Sequence, residues 1–462
     1  MTDLPISFAC AGCGYHAAAD QRVSMRCPRA VPDDDIDHVM ARVLDVARLR
    51  FPTGSEANPF SRYRTLFHAY HLALALGWTD ADYLALVERL DAAVAAIDGA
   101  GFRVTPFARN AALSERLGFA HDGGVFVKDE TGNVSGSHKA RHLMGTLLEL
   151  EVAQALDGGV TKPGRLAIAS CGNAALAAAV VAAAAGRDLD VYIPADAHPT
   201  VVARLHALGA HLTVCERVRG LPGDPTYRRL RAAIASGAIG FTCQGNENGF
   251  AIEGGLTLGY ELATDLAAAG MTLDHLCVQV GGGALASACI GGLAEARELG
   301  ASVANPRIHP VQAGAVAPLA RAYERLAHRL DTDEPSRADM TWAAHHRSAF
   351  MWPWEREPHS VATGILDDET YDWLAVVRGT LASRGGPVVV DEATLLEANE
   401  IATTTTGIDV DPTGSAGLAG LLELRRHGRV GSNETVAVIF TGVQREIAPV
   451  ASTLEAQVGG PR

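Results

Sequence analysis

The chain has 462 residues, long for one compact domain, and reads as two lobes with additions. Hydrophobic residues at 48% against 20% charged allow a large core and exclude global disorder. The formal charge of -14, with no Lys/Arg-rich run to offset it, repels a phosphate backbone and excludes nucleic acid as a partner.

The N-terminus, MTDLPISFACAGCG, has no basic stretch followed by a long apolar run, so it is not read as a secretory signal. The eight cysteines are spread along the chain, which fits reduced thiols and a cytoplasmic location better than a disulfide framework. The first fifty residues stand apart as an extension, with Cys10-Ala-Gly-Cys13, then Cys27-Pro28, then Asp33-Asp34-Asp35. Tetrahedral zinc wants four ligands, and Arg29 and Ala30 stand where a partner for Cys27 would fall. His16 or His38 could complete a set, but a purely structural turn accounts for the same residues, and no metal is assigned.

From Asn58 to Ala96 the spacing of Leu, Tyr, Phe and Ala predicts helices, among them FSRYRTLFHAYHLALALG and DYLALVERLDAAVAAI. After Phe102 short β-rich runs alternate with alanine-rich helices. GVFVKDE (Gly124 to Glu130) precedes the helix HKARHLMGTLLELEVAQAL; RLAIAS leads into NAALAAAVVAAAAG, and DVYIPA into TVVARLHALG. HLTVCE, GFTCQG, HLCVQVGGG and TVAVIFTG are further β-rich runs. Such alternation predicts βαβ units and parallel sheet, an α/β fold. The apolar stretch Ala174 to Ala185 is too short to cross a bilayer and reads as a packed helix, so no membrane partner is expected. The stretch from about Ala317 to Ser360 reads as a loop with short helices.

Four turns carry chemistry. In Lys128-Asp-Glu-Thr-Gly-Asn-Val-Ser-Gly-Ser-His-Lys139-Ala-Arg141, Lys139 opens a helix after a Gly/Ser turn. The positive helix end, together with desolvation, can lower an amine's pKa, which a Schiff-base lysine needs. An exposed first-turn lysine fits the same string. Ser170-Cys171-Gly172-Asn173 turns a strand into a helix. Ser170 and Asn173 suit an N-cap, and the turn's N–H groups also suit a carboxylate. Gly281-Gly282-Gly283-Ala284-Leu285 follows a buried strand and lets backbone amides approach a phosphate. A dinucleotide fingerprint fails there because Ala286 takes the last glycine's place. Thr441-Gly442 ends the last strand and would stand at the carboxyl edge of a sheet, where open α/β folds bind ligands.

Taken in order, these four turns resemble those of the tryptophan-synthase-β-like, fold type II, pyridoxal-phosphate (PLP) enzymes, over roughly Phe102 to Ile447. The resemblance implies two lobes, each with a mainly parallel open sheet flanked by helices, and an active site in the cleft between them. The lobes would be 51–140 with 245–462 (large, PLP-binding) and 141–244 (smaller, inserted), after the 1–50 extension. It implies that Lys139 forms the internal aldimine and that Asn173 contacts the pyridoxal 3′-oxygen. Gly281, Gly282, Gly283, Ala284 and Leu285 would cradle the phosphate, with Thr441 facing the pyridine nitrogen. Ser170, Cys171, Gly172 and Asn173 would hold the substrate carboxylate. A homodimer is also implied.

Asn246 to Gly254, ending in Ile-Glu-Gly, is similar to a threonine-synthase segment, and the Cys10/Cys13/Cys27 segment is similar to the N-terminus of some synthases. Gly281 to Leu285 and Gly172 to Ala175 resemble serine/threonine ammonia-lyases instead, and His138 and Ala140 match neither. The expected chemistry is β-elimination or β-replacement on a small serine- or threonine-like amino acid, through an external aldimine and an aminoacrylate. The alternative is threonine-synthase-type γ-replacement on O-phosphohomoserine, which needs cationic or hydroxyl donors for the departing dianion. His138 and Arg141 lie beside the lysine, whereas Ala174 and Ala175 stand where hydroxyls would help. Of other classes, a nicotinamide enzyme would not need Lys139 or Asn173, and a non-catalytic regulator would be expected to have lost the lysine.

Overall fold

Short β-branched runs separated by helices cannot turn back as hairpins, so they pair in parallel through crossovers. The computed structural model describes residues 4–17, 23–31, 34–156, 164–218, 220–221, 223–330, 335–354 and 358–445. Asp33, Ile447 and the 446–462 end of the large-lobe segment lie outside these residues. Strands β1 (Ile6–Cys10) and β2 (Met40–Leu44) form an antiparallel pair. After helices Pro59–Arg62, His68–Ala75 and Asp80–Asp98 come β3 (Phe107–Arg109) and β4 (Gly124–Asp129). Then follow β5 (Leu166–Ala169), β6 (Leu189–Pro194), β7 (His211–Cys215) and β8 (Ile239–Gly240), and later β9 (His275–Gln279), β10 (Arg307–Ala313), β11 (Val388–Val390) and β12 (Thr435–Phe440).

A six-stranded sheet runs β11-β10-β9-β12-β4-β3, parallel except for the antiparallel edge strand β3. A second sheet, β7-β6-β5-β8, is wholly parallel. Every residue of β9 is buried, as expected for a central strand covered on both faces. The alanine-rich helix Asn173–Ala184 packs on the helix Lys139–Leu156, which in turn packs on Ala251–Ala268. A Cβ on Gly145 would lie 2.5 Å from Gly254 Cα, so these last two helices are in backbone contact. That contact fixes the axis of the helix whose first residue is Lys139. Among the described residues no helix is long and apolar enough to cross a membrane.

The predicted run GFTCQG is strand only at its start. Phe241 N donates to Ala167 O, and beyond it side chains replace the ladder: Asn248 Nδ2 donates to Thr242 O at 3.0 Å, and Thr242 Oγ1 bonds Gln244 Oε1 at 2.9 Å. Strands β1, β2, β3, β10 and β11 have no counterpart among the runs read from the sequence. In β10, Pro310 interrupts the run, yet the strand lies between β9 and β11. The stretch after Ala317, expected as a loop with short helices, contains the helices Pro318–Ala327 and Arg337–Ala344.

Candidate active site

The carboxyl ends of β4, β9 and β12, neighbours in the large sheet, open toward the same edge. β4 leads into a turn in which Asn133 caps Val134 and Ser135 is held at a positive φ of 57°. That strain is pinned from two sides: Ser135 N donates to Asp98 Oδ2 at 2.6 Å, and Arg445 Nη2 donates to Ser135 O at 2.8 Å. Next, Ser137 bridges Gly442 and His138 N donates to Thr441 O, so the turn before Lys139 is laced to the end of β12. Lys139 is partly buried, and its amine has no hydrogen-bond or ion-pair partner among the described residues.

The groups around that amine are not cationic. His138 and His142 are buried; burial and then the charge of Lys139 push His138 well below the ordinary value and His142 down to about 3. His142 Nδ1 donates to Ala251 O at 2.8 Å, which fixes the neutral tautomer with Nε2 unprotonated. Arg141, the other candidate donor for a departing phosphate, is corrected by the structure. It is fully buried and turned away into an ion cluster, with Nε on Glu130 at 2.8 Å, Nη1 on Glu261 at 2.6 Å and Nη1 on Thr257 at 3.0 Å. Lys128 Nζ joins the same cluster, donating to Glu261 at 2.6 Å and to Thr105 O at 2.7 Å. The cluster is a pedestal under the lysine turn.

The glycine turn after β9 is Gly281-Gly282-Gly283, with Gly283 at φ 98° before the helix Ala284–Glu298. Ala284 and Leu285 are buried in that helix's first turn. The turn faces a segment that sequence reasoning missed, Ile365 to Asp372. A Cβ on Gly281 would fall 2.3 Å from Asp367 Oδ2, and the Gly282 N–H donates to the Asp367 carboxylate. The loop thus takes an anionic oxygen in this structure, with Asp367 supplying it. Burial, with Asp368 and Asp224 adding to it, raises Asp367 to about 6 despite the opposing charge of Lys139. Asp372, between Gly245 and Gly283, is raised to about 8 by burial and by Asp37, with Lys139 again opposing. The acidic string Leu366-Asp-Asp-Glu-Thr-Tyr-Asp372 was the available signal, but nothing in its spacing ties it to a lysine more than two hundred residues earlier.

Asp372 gives a signed prediction. Its folded value of about 8 exceeds the ordinary 3.8, so folding takes up a proton between those limits and stability is lost as pH rises through that window. Asp372→Asn keeps the acceptor to Gly245 and removes the titration. The variant should gain on wild type as pH rises from 5 to 8, by up to ~1.4 kcal/mol per pH unit. Urea unfolding at the two pH values measures it; a constant offset would mean that Asp372 does not titrate there.

Ser170, Cys171, Gly172 and Asn173 stand at the end of β5. Gly172 faces open space, Cys171 is exposed, and Gly172 N is 3.4 Å from Ser170 Oγ. Asn173 opens its helix and accepts from Arg445 Nη1 through Oδ1, while a Cβ on Gly442 would lie 2.7 Å from Asn173 Nδ2. Thr441 is buried, and its hydroxyl accepts from Gln279 Nε2 at 2.6 Å. Gln279 and Arg445 were also missed: one is buried in a strand, and the other follows the last motif. The structure therefore brings all four turns to one place: Lys139 beside Thr441 through His138, Thr441-Gly442 beside Asn173, and the glycine turn beside Asp367, which feels the charge of Lys139.

A family model described as "Pyridoxal-phosphate dependent enzyme" matches residues 100–442. Among curated relatives, the threonine synthase of Methanosarcina acetivorans is 25% identical over 338 residues, covering 73% of this chain and 74% of the relative. The threonine synthase of a Bacillus species is 26% identical over 332 residues, covering 71% and 79%. Among solved structures, a threonine deaminase from T.th. superposes with TM-score 0.55 at 23% identity, over 79% of this chain and 99% of that one. The diaminopropionate ammonia lyase of Escherichia coli gives TM-score 0.56 at 17% identity, over 77% and 88%.

Proposed function

The chain belongs to the pyridoxal-phosphate dependent enzyme family, and within it we propose β-elimination or β-replacement on a small serine- or threonine-like amino acid. The cofactor is pyridoxal 5′-phosphate, and the residues present fit it. A glycine turn with no Cβ takes an anionic oxygen on its amide, and the Lys139 amine, which has no hydrogen-bond or ion-pair partner among the described residues, stands nearby. Lys139 would hold the cofactor covalently, and Gly281 to Leu285 would take its phosphate. Asn173 would meet its 3′-oxygen and Thr441 its ring nitrogen. As two anions cannot share one N–H, Asp367 yields the Gly282 amide to the phosphate.

When bound, the cofactor withdraws electrons from the substrate Cα and makes its proton acidic. The residues of the chain do the rest. The N–H groups of Ser170 to Asn173, at the positive end of a helix, hold the substrate carboxylate, with Arg445 behind Asn173. Lys139 takes the Cα proton as general base. His138 and His142, neutral and buried, exclude water from the lysine side without adding charge.

One observation carries the choice of leaving group: among the described residues the cations around Lys139 are already engaged, Arg445 included, whose guanidinium is held by Asn173 and by Ser135 O. Arg141 is sealed by two carboxylates, both imidazoles are neutral, and Asp367 and Asp372 lie within the field of Lys139. A departing phosphate dianion would be costly to desolvate there, whereas hydroxide or acetate with a proton is not. The similarity to threonine synthases favours the second reading, γ-replacement on O-phosphohomoserine. A panel of β-hydroxy and β-acyloxy amino acids run beside O-phosphohomoserine, scored for keto acid, ammonia and phosphate, separates them. The β-substituted compounds should turn over faster; stoichiometric phosphate release with threonine formation would promote the second reading.

Gly282→Val should weaken cofactor retention roughly 10- to 100-fold, the worth of one charge-assisted hydrogen bond, because its Cβ would stand 2.9 Å from Tyr371 beside the phosphate amide. Dialysis followed by absorbance reads this; unchanged retention would place the phosphate elsewhere.

The lobe division at 141–244 is also proposed, supported by the second sheet, which spans 166–240. A cytoplasmic setting is supported by eight free thiols. A homodimer rests on the family resemblance alone.

A further inference from the structure

The antiparallel pair β1–β2 does something the cleft chemistry does not use. It brings Cys10, Cys13, Cys27 and His38 together, with one ligand atom of each within 4.8 Å of all the others. We propose that these four residues bind one zinc ion in a closed, structural site.

The spacing matches the metal. A tetrahedron with Zn–S of about 2.3 Å and Zn–N of about 2.0 Å has edges of roughly 3.5–3.8 Å. Cys10 Sγ lies 3.4 Å from His38 Nδ1, and Cys13 Sγ lies 3.6 Å from Cys27 Sγ, so opposite edges already have that length. The fourth ligand is His38, whose Nδ1 lies with the three sulfurs, whereas His16 is not part of the group. His38 is set for the role by its other nitrogen: Nε2 stands 3.0 Å from Asp34 Oδ2, which holds the proton there and turns the Nδ1 lone pair to the sulfurs. Backbone amides face the sulfurs as well. Cys13 N donates to Cys10 Sγ at 3.5 Å, and the Arg29 amide donates to Cys27, as suits thiolates. Three thiolates with one imidazole select zinc, and four protein ligands leave no open position for chemistry.

The loops that carry the ligands strap distant segments together. His345 Nε2 bonds Gly12 O at 3.0 Å, Asp37 N donates to Ala344 O, and Arg347 Nε pairs with Asp37 Oδ1 at 3.2 Å. On the other side Gly249 N donates to Met25 O, and Arg26 pairs with Glu247 at 3.1 Å. The ion would thus hold an N-terminal clasp between the Ala344–Arg347 segment and the Glu247–Gly249 turn, and it gives His345 a structural task.

The test uses the full-length enzyme. After growth with zinc and passage over a chelating resin, about one zinc per chain should remain. Cobalt exchanged into the site should show a thiolate-to-cobalt charge-transfer band with strong tetrahedral ligand-field absorption. Cys13→Ser should lose the ion, Cys215→Ser should keep it, and Asp34→Asn should weaken it about 10- to 100-fold without changing the cobalt spectrum. If Cys13→Ser does not fold, the cobalt spectrum of the wild type decides. Substoichiometric zinc without the charge-transfer band, or a Cys13–Cys27 disulfide in freshly purified protein, would overturn the proposal.

Discussion

Lys139→Ala is expected to abolish turnover while leaving the protein folded. Loss of the general base alone removes about 10²- to 10⁴-fold in kcat, and loss of the covalent anchor removes more. The fold should survive because the Lys139 amine has no hydrogen-bond or ion-pair partner among the described residues, and its helix is held by the backbone contact of Gly145 with Gly254. Removing it also relieves the field on its neighbours. His138 and His142 are depressed first by burial and second by Lys139, so their values should rise somewhat in the variant. Steady-state rates with the best substrate of the panel, next to a thermal unfolding curve, measure both halves. Activity within tenfold of wild type would remove Lys139 from the chemistry.

The largest effect on stability is expected from Arg141→Met. Arg141 is fully buried and satisfies Glu130 and Glu261; without it, among the described residues, Glu130 has no cation and Glu261 keeps Lys128 as its cation beside the Thr105 donors. Burial works against ionisation of Glu261, and Arg141 with Lys128 overcomes it and holds that carboxyl below its ordinary range. Breaking one side of such a buried set costs about 3–5 kcal/mol, because a charge stays buried without its partner. Urea unfolding of the variant should show this loss. Cofactor content should fall with it, since Glu130 also binds Asn133 in the lysine turn at 2.8 Å. A variant as stable as wild type would show that the cluster relaxes by protonation.

The parts of the site that the sequence made legible are those decided by local turn chemistry. Lys139 in the turn after β4, Asn173 after β5, the triple glycine after β9 and Thr441-Gly442 after β12 all follow strands, and neighbouring strands carry three of them to one edge. What stayed hidden depends on tertiary neighbours. Arg141 is two residues from Lys139, but on a helix that spacing turns it to another face, where Glu130 and Glu261 wait. Asp367 and Asp372 are far from the lysine in sequence and become its neighbours only when their segment crosses the glycine turn. The choice of His38 over His16 follows from the pairing of β1 with β2, which no spacing along the chain contains. In the fold, Pro310 masked a strand that pairs on both sides, and GFTCQG has strand composition but satisfies its backbone with side chains.

If Lys139 carries the cofactor, the enzyme itself will show it. Purified enzyme should absorb near the visible edge, and borohydride should bleach that band while fixing the cofactor to a lysine. Peptide mapping by mass spectrometry should then find the added mass on the peptide containing Lys139. The same mass on a different lysine, or on none, would contradict the account.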